Sequence, residues 1–286
     1  MIINNVSFEI TSGEIVSLVG HNGAGKTTLL KMISGILKAD SGQLTIYGNK
    51  IHKKTLSKIS MTLEGNKNFY GELTAHENIS YFFRLKGYRF DKKTKSQLEY
   101  YLEIFRLKEY INVPVFKLSR GTQQKISIIL NFVLPSEIIL LDEPTLGLDV
   151  FSIEEFEKLV QIAKNEGKIV IITSHQLDLL ERLSNRLIIL DKGIVSYDNS
   201  LQYFIEQYSY SKYTINYLNS IPMLDLNKLD INKVSYSMSS EKSLIINSSK
   251  INESLHLLSI NEIENITKSL STLEDAYKNF NYDKVV

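Results

Sequence analysis

Gly20, His21, Asn22, Gly23, Ala24, Gly25, Lys26, Thr27 and Thr28 read GHNGAGKTT and fit the pattern G-x-x-x-x-G-K-[ST]. The chemistry of that spacing is phosphate binding. Glycines at 20, 23 and 25 let the backbone curl so that successive N–H groups converge on phosphate oxygens, and a helix opening near Lys26 adds the positive end of its dipole. Lys26 would then reach the β- and γ-phosphates of a nucleotide, with the Thr27 hydroxyl placed to ligate Mg²⁺. A glycine-rich turn without a ligand would have no use for Lys and Thr directly after its last glycine.

Three further groups stand at the ends of apolar runs. Asp142 and Glu143 close the run around Ile138 to Leu141, where Asp142 can hold Mg²⁺ through water and Glu143 can polarise a water that attacks the γ-phosphate. His175 follows the run KIVIITS and is expected to reach the γ-phosphate. Asp149, in GLD, has two readings: a nucleotide contact, or the cap of a helix that begins just after it. A second loop-like stretch, Leu118 to Lys125 (LSRGTQQK), resembles another phosphate-binding turn in a chain that already has a complete one.

These groups need strands that end together. The apolar run Ile15, Val16, Leu18, Val19 reads as a buried strand feeding the phosphate loop, and Val6, Phe8 and Ile10 alternate as an edge strand before it. SGQLTIYGNKI reads as a turn, a strand and another turn. From about 71 to 133 the pattern is helical, and Thr74 with Glu77 forms a capping box at one of the helix starts. Apolar strands then alternate with the helical IEEFEKLVQIAKNEG, ending in a hairpin at NRLIILDKGIVSYD. Alternation with continuous apolar strands predicts an α/β fold with a mainly parallel sheet, whose ligand sits at the carboxyl ends of the strands.

Length and composition set bounds. With 286 residues, 43% of them hydrophobic and 23% charged, the chain can form one large domain and a smaller one. The 33 basic and 32 acidic residues give a net charge of +1, which argues against nucleic acid as the main partner, although a local patch can hide in such a sum. The absence of cysteine excludes disulfides and thiolate metal sites and fits a reducing compartment. No signal peptide is visible at the start, and the apolar runs are strand-sized rather than the roughly 18 residues of a membrane span.

The order GHNGAGKTT, LSRGTQQK, ILLDEPTLGLD, TSH resembles the ATP-binding cassette (ABC) family over about residues 1 to 200. The resemblance implies a P-loop NTPase cassette with a mainly parallel sheet, a small antiparallel β part and a helical subdomain. Gly20 to Thr28 would be its Walker A loop, Ile138 to Glu143 its Walker B strand with the catalytic glutamate, Pro144 to Asp149 its D-loop and His175 its switch histidine. LSRGTQQK would be the signature motif, whose Ser119 hydroxyl and Gly121 N–H bind the γ-phosphate held by a second cassette. Arg120 and Thr122 stand where Gly and Gln are commonest. The family's adenine-stacking aromatic has no counterpart here, and Phe8 is a poor substitute because it alternates with core positions. Glu64, in ISMTLEGN, lies where most members have the glutamine of the Q-loop, so it joins Thr27 and Asp142 as an expected metal-site residue. Glutamate-bearing cassettes of this kind are similar to bacterial exporters of lantibiotics and other peptide antibiotics.

What the resemblance implies is an ATPase subunit that uses ATP and Mg²⁺ in a head-to-tail dimer of cassettes. It would drive a separate membrane permease from the cytoplasmic side of the cell membrane. The alternative is an ABC ATPase acting on the ribosome or DNA, but such relatives usually carry two cassettes or a long coiled-coil insertion. From 201 to 286 the chain leaves the cassette pattern and reads as a small α+β appendage, with a terminal helix capped by Ser271 and Glu274 and a core stripe of Leu273, Tyr277 and Phe280.

Overall fold

The computed structural model describes residues 2–63, 69–209, 212–247, 251–269 and 271–282, and divides the chain into two compact units, 1–200 and 201–286. In the first unit the elements in chain order are β1 (Ile15–Val19), α1 (Lys26–Ile33), β2 (Thr45–Ile46), β3 (Asn49–Lys50), α2 (Lys53–Leu56) and β4 (Ile59–Thr62). These are followed by α3 (Ala75–Leu85), α4 (Lys92–Ile104), α5 (Arg120–Val133), β5 (Ile138–Asp142), α6 (Val150–Asn165), β6 (Ile169–Thr173), α7 (Leu177–Leu183), β7 (Arg186–Asp191) and β8 (Ile194–Ser200). Six strands form one sheet in the order β4-β5-β6-β1-β7-β8, parallel throughout except for the β7–β8 hairpin.

Strands β1, β5 and β6 are buried along their whole length, which is why their sequences are mainly continuous apolar runs rather than alternating ones, with Ser17 as the polar exception inside β1. Val16, Leu18, Leu140, Ile171 and Ile188 make one core with Leu29, Leu30 and Ile33 of α1. That packing fixes the phosphate loop between a rigid strand and a rigid helix. Because β6 lies between β1 and β5, the loop after β1, the carboxylates after β5 and the histidine after β6 emerge on one edge of the sheet.

Two local expectations change. Residues 4–11 form no strand, although Val6, Phe8 and Ile10 pack against the core as their alternation requires. Alternation reports which side faces the core and says nothing of what the backbone pairs with. SGQLTIYGNKI makes a hairpin of two short strands, Thr45↔Lys50 and Ile46↔Asn49, around Tyr47-Gly48. The expected capping box at Thr74 is present: its hydroxyl accepts from Glu77 N–H at 3.2 Å, and the Glu77 carboxylate accepts from Thr74 N–H at 2.8 Å.

The second unit comprises α8 (Leu201–Tyr208), β9 (Lys212–Tyr217), α9 (Met223–Ile231), β10 (Tyr236–Ser240), β11 (Ser243–Asn247), α10 (Ile251–Leu255), β12 (Ile263–Ser269) and α11 (Leu273–Tyr282). Its antiparallel sheet has the order β10-β11-β9-β12, and its own core gathers Ile215, Tyr217, Leu229, Leu244 and Ile246. Asp225 is fully buried there, accepting from the Tyr217 hydroxyl at 3.1 Å and from Ser259 N–H and Oγ at 2.9 and 2.8 Å. Burial and the Asp225 charge push the Tyr217 phenol well above its ordinary range. Leu273, Ala276 and Phe280 form the buried stripe of α11, with Tyr277 half-buried. The cap falls one residue later than expected. Thr272, not Ser271, accepts from the N–H three residues on, Asp275 at 3.2 Å, while Glu274 pairs with Lys278.

Candidate functional site

The phosphate loop leaves β1 through positions that only glycine fits. A Cβ on Gly20 would stand 2.2 Å from the Leu190 carbonyl oxygen, and Gly25 has φ +107°. Gly25 is the N-cap of α1 and supplies no side chain to the first turn, so the N–H groups there are left for a ligand. Ala24 is buried, His21, Asn22 and Gly23 are exposed, and Thr28 is half-buried in the first turn of α1. The His21 ring braces the loop, with Nδ1 2.8 Å from Asn22 O and Nε2 3.2 Å from Asp191 Oδ1 at the end of β7. Lys26 folds back over the loop and donates to Gly20 O at 2.6 Å.

Thr27 Oγ1 donates to Asp142 Oδ2 at 2.7 Å, which ties the start of α1 to the end of β5. The other Asp142 oxygen accepts from Thr173 Oγ1 at 2.7 Å, and that same hydroxyl accepts from Glu143 N–H at 3.0 Å. The β5–β6 register, which pairs Asp142 with Thr173, is what makes this possible. Glu143 is held at φ +48°, in the left-handed region that a non-glycine residue rarely occupies. Its Oε2 accepts from His175 N–H at 3.3 Å, and its Oε1 lies 3.5 Å from His175 Nε2, buried without a hydrogen-bond partner. Burial lifts the proton affinity of Glu143 above the ordinary carboxylate range, against the opposing pull of His175 and Lys26.

These groups fit a magnesium nucleotide. Hard oxygen donors, the Thr27 hydroxyl and the Asp142 carboxylate, suit Mg²⁺, which is usually held by one or two protein oxygens together with phosphates. The orphaned Glu143 Oε1 has the position and chemistry of a water acceptor. When bound, Mg²⁺ would neutralise charge developing on the phosphate oxygens.

The second loop lies elsewhere on the surface of the cassette. Ser119 is the exposed N-cap of α5, its Oγ accepting from Thr122 N–H at 3.2 Å and lying 2.9 Å from Thr122 Oγ1, and Gly121 is half-buried in the first turn. The residues that follow bind it to the D-loop of its own chain. Gln124 donates to Pro144 O at 2.7 Å, and Lys125 pairs with Asp149 Oδ2 at 2.9 Å. Asp149 Oδ1 caps α6 by accepting from Ser152 N–H at 2.8 Å. Of its two readings the helix cap is therefore formed within the chain, and the Lys125 pairing together with the Ser152 bonds holds its carboxyl far below the usual range. Glu64 lies outside the described residues.

Sequence reasoning missed Thr173, Gln124 and Lys125. A hydroxyl ending an apolar strand was the signal for Thr173, but only the strand register shows that it serves both carboxylate residues. Thr173→Val is expected to leave Glu143 N–H and Asp142 each short of a partner, costing about 1–3 kcal/mol of stability. Denaturant midpoint and ATP turnover should both fall, and Thr173→Ser should restore them.

A parallel sheet with a glycine loop after one strand and an Asp-Glu pair after another defines a P-loop nucleotide hydrolase. Residues 3–146 match the family model described as ABC transporter. The chain is 34% identical over 207 residues to the ABC transporter ATP-binding protein NatA of Bacillus subtilis, covering 71% of this chain and 84% of that one. It is 29% identical over 218 residues to the lantibiotic transport ATP-binding protein SrtF of Streptococcus pyogenes, covering 74% and 93%. Among solved structures, an ATP-binding subunit of an ABC transporter superposes with a TM-score of 0.68 at 28% identity, covering 72% of this chain and 87% of that one. A dimeric ATP-binding cassette in a post-hydrolysis state bound to ADP and Pi superposes at 0.63 with 27% identity, covering 69% and 90%. The chain belongs to the ABC transporter family and is an ATP-hydrolysing, ATP-binding subunit of that family.

Proposed function

We propose that this chain hydrolyses Mg-ATP in a head-to-tail dimer of cassettes and thereby drives a separate membrane permease that exports a peptide antibiotic or drug. The observation that carries the chemistry is the chain of contacts Thr27, Asp142, Thr173, Glu143, His175, which links the phosphate loop to a buried carboxylate oxygen without a hydrogen-bond partner. In this reading Lys26 and the N–H groups of 20–28 hold the phosphates, Thr27 and Asp142 hold the metal, Glu143 accepts the water proton and His175 orients the γ-phosphate. Ser119 and Gly121 serve the nucleotide of the second cassette, because they lie on the surface at the N-terminus of α5. Asp149 acts by position, holding α5 and α6 together next to that surface.

The substrate class rests on relatives. Besides the lantibiotic transport protein, the SkfA peptide export ATP-binding protein SkfE of Bacillus subtilis is 31% identical over 217 residues, covering 76% of this chain and 90% of that one. Glu64 in place of the family's glutamine supports the same lean and is assigned to coupling between nucleotide state and transport. Among the described residues no helix is long and apolar enough to cross a membrane.

Docking to it is assigned to the helical segment 71–133 and its entry. Tyr70 and Tyr81 are exposed there with ring centroids 5.0 Å apart, and Phe116 is exposed nearby, its backbone N–H bonded to Gly71 O at 3.1 Å. Tyr70→Glu with Glu72→Lys is expected to abolish co-purification of the chain with its permease from detergent-solubilised membranes, with ATP turnover of the free chain unchanged. Undiminished co-purification would put the docking surface elsewhere.

A further inference from the structure

A net charge of +1 conceals a strongly basic band on the cassette. From Ser41 to Leu63 there is no acidic residue, while Arg84 to Lys95 holds six basic residues against Asp91 alone. The fold brings these two segments together. Lys86 turns inward and donates to the carbonyls of Ile59 and Ser57, and the Tyr88 hydroxyl also reaches Ser57 O, so the C-terminal ends of α2 and α3 adjoin, and α4 begins shortly after Tyr88. Lys53, Lys54, Arg84, Arg89, Lys92 and Lys93 are exposed around this junction. Lys58 is already neutralised by Glu137 at 2.8 Å, whereas among the described residues none of those six lies within ion-pair distance of a carboxylate.

The band is poorly explained by folding. α4 opens on Lys92, Lys93 and Lys95 with no acidic residue in its first turn, at the end of the helix where the dipole disfavours cations. Its cap, Asp91, is the one acidic group there, and it is engaged by Thr94 N–H at 2.8 Å. Clustered like charges set against a helix dipole are a local cost that an anionic partner would relieve. Leu85, 62% exposed, stands among these cations. Cations around an aliphatic side chain match the headgroup boundary of a bilayer, where the charges meet anionic lipid and the apolar group enters the acyl edge. A nucleic-acid surface would instead be expected to place a base-stacking aromatic or a groove-reading element at its centre.

We infer that this band, formed by α2, the end of α3 and the start of α4, docks the cassette directly on an anionic phospholipid surface, independently of the permease. The contact goes beyond the transport reading: it would hold the ATPase near the bilayer by charge. Six clustered cations act together over a Debye length of about 8 Å at physiological salt, so binding should be steeply salt-dependent.

The test uses the purified full chain and protein-free vesicles of phosphatidylcholine, with and without about one-third phosphatidylglycerol. Co-sedimentation should require the anionic lipid and disappear as salt rises. The variant K53E/K54E/K92E/K93E should bind at least tenfold more weakly while its ATP turnover without vesicles is unchanged, which also shows that it is folded. Leu85→Ser should weaken binding without altering the salt dependence. Equal binding to both vesicle types, or undiminished binding by the quadruple variant, would overturn the inference. So would binding of a double-stranded RNA by the band with no binding to anionic vesicles, which would reassign it to nucleic acid. Because the vesicles hold no permease, either outcome leaves the transport reading to its own test.

Discussion

Glu143→Gln is expected to lower ATP turnover about a hundredfold to ten-thousandfold, an increase of roughly 2.7–5.5 kcal/mol in the barrier, while ATP binding stays close to that of the unaltered chain. The magnitude follows from what the side chain does. A carboxylate with one oxygen held by His175 N–H and the other buried without a hydrogen-bond partner is poised to take a proton from water, and an amide of the same shape cannot. Nucleotide binding depends on other groups: the backbone of the phosphate loop, Lys26 and Thr27. The raised proton affinity of Glu143 adds a pH signature. The base must be ionised to act, so turnover should fall as pH drops through a value above the ordinary carboxylate range, and that limb should be missing from the residual activity of Glu143→Gln. A steady-state pH profile of both proteins checks this. Equal turnover in the two proteins would remove Glu143 from the role of base.

The second large effect is expected at Ser119. Ser119→Arg puts a bulky side chain where the second cassette's γ-phosphate and its surroundings must fit, and that steric misfit is expected to lower dimer affinity by more than about a hundredfold, roughly 2.7 kcal/mol. Binding of ATP by the monomer should survive, since nothing in the phosphate loop changes. Arginine also removes the hydroxyl that caps α5, so loss of dimer alone would leave a folding defect as an explanation. Ser119→Asp separates the two. Aspartate is as good an N-cap as serine but repels a phosphate, so this variant should keep its thermal midpoint and still fail to dimerise. Dimers formed normally by Ser119→Asp would show that the second loop does not bind phosphate in trans.

Much of this site is legible in the sequence because backbone constraints are written in residue types. Gly20 and Gly25 stand where a side chain would collide with Leu190 or strain the turn, and Lys26 and Thr27 directly after them declare a ligand. Asp142 and Glu143 are legible because charge at the end of a fully buried strand needs a reason. What was hidden depends on pairing between distant segments. Thr173 becomes a partner of Asp142 and Glu143 only through the β5–β6 register, and Lys125 meets Asp149 only through the packing of α5 against α6. Asp149 shows the limit from the other side: a short acidic residue before a helix is equally good as cap and as ligand contact, and the structure supplies the cap. The alternation of Val6, Phe8 and Ile10 named the buried face correctly but not the backbone conformation, since residues 4–11 form no strand. Likewise the α11 cap moved by one residue because Ser271 and Thr272 carry the same hydroxyl, and only the hydrogen bond to Asp275 distinguishes them.

The same two variants provide the most direct test of the account, that ATP is held by the phosphate loop of one cassette and the signature loop of another. Light scattering of purified Glu143→Gln should give the mass of a monomer with ADP and twice that mass with Mg-ATP. The added change Ser119→Asp should abolish the doubling while bound ATP remains measurable. A Glu143→Gln protein saturated with ATP yet monomeric, or a doubling insensitive to Ser119→Asp, would contradict it.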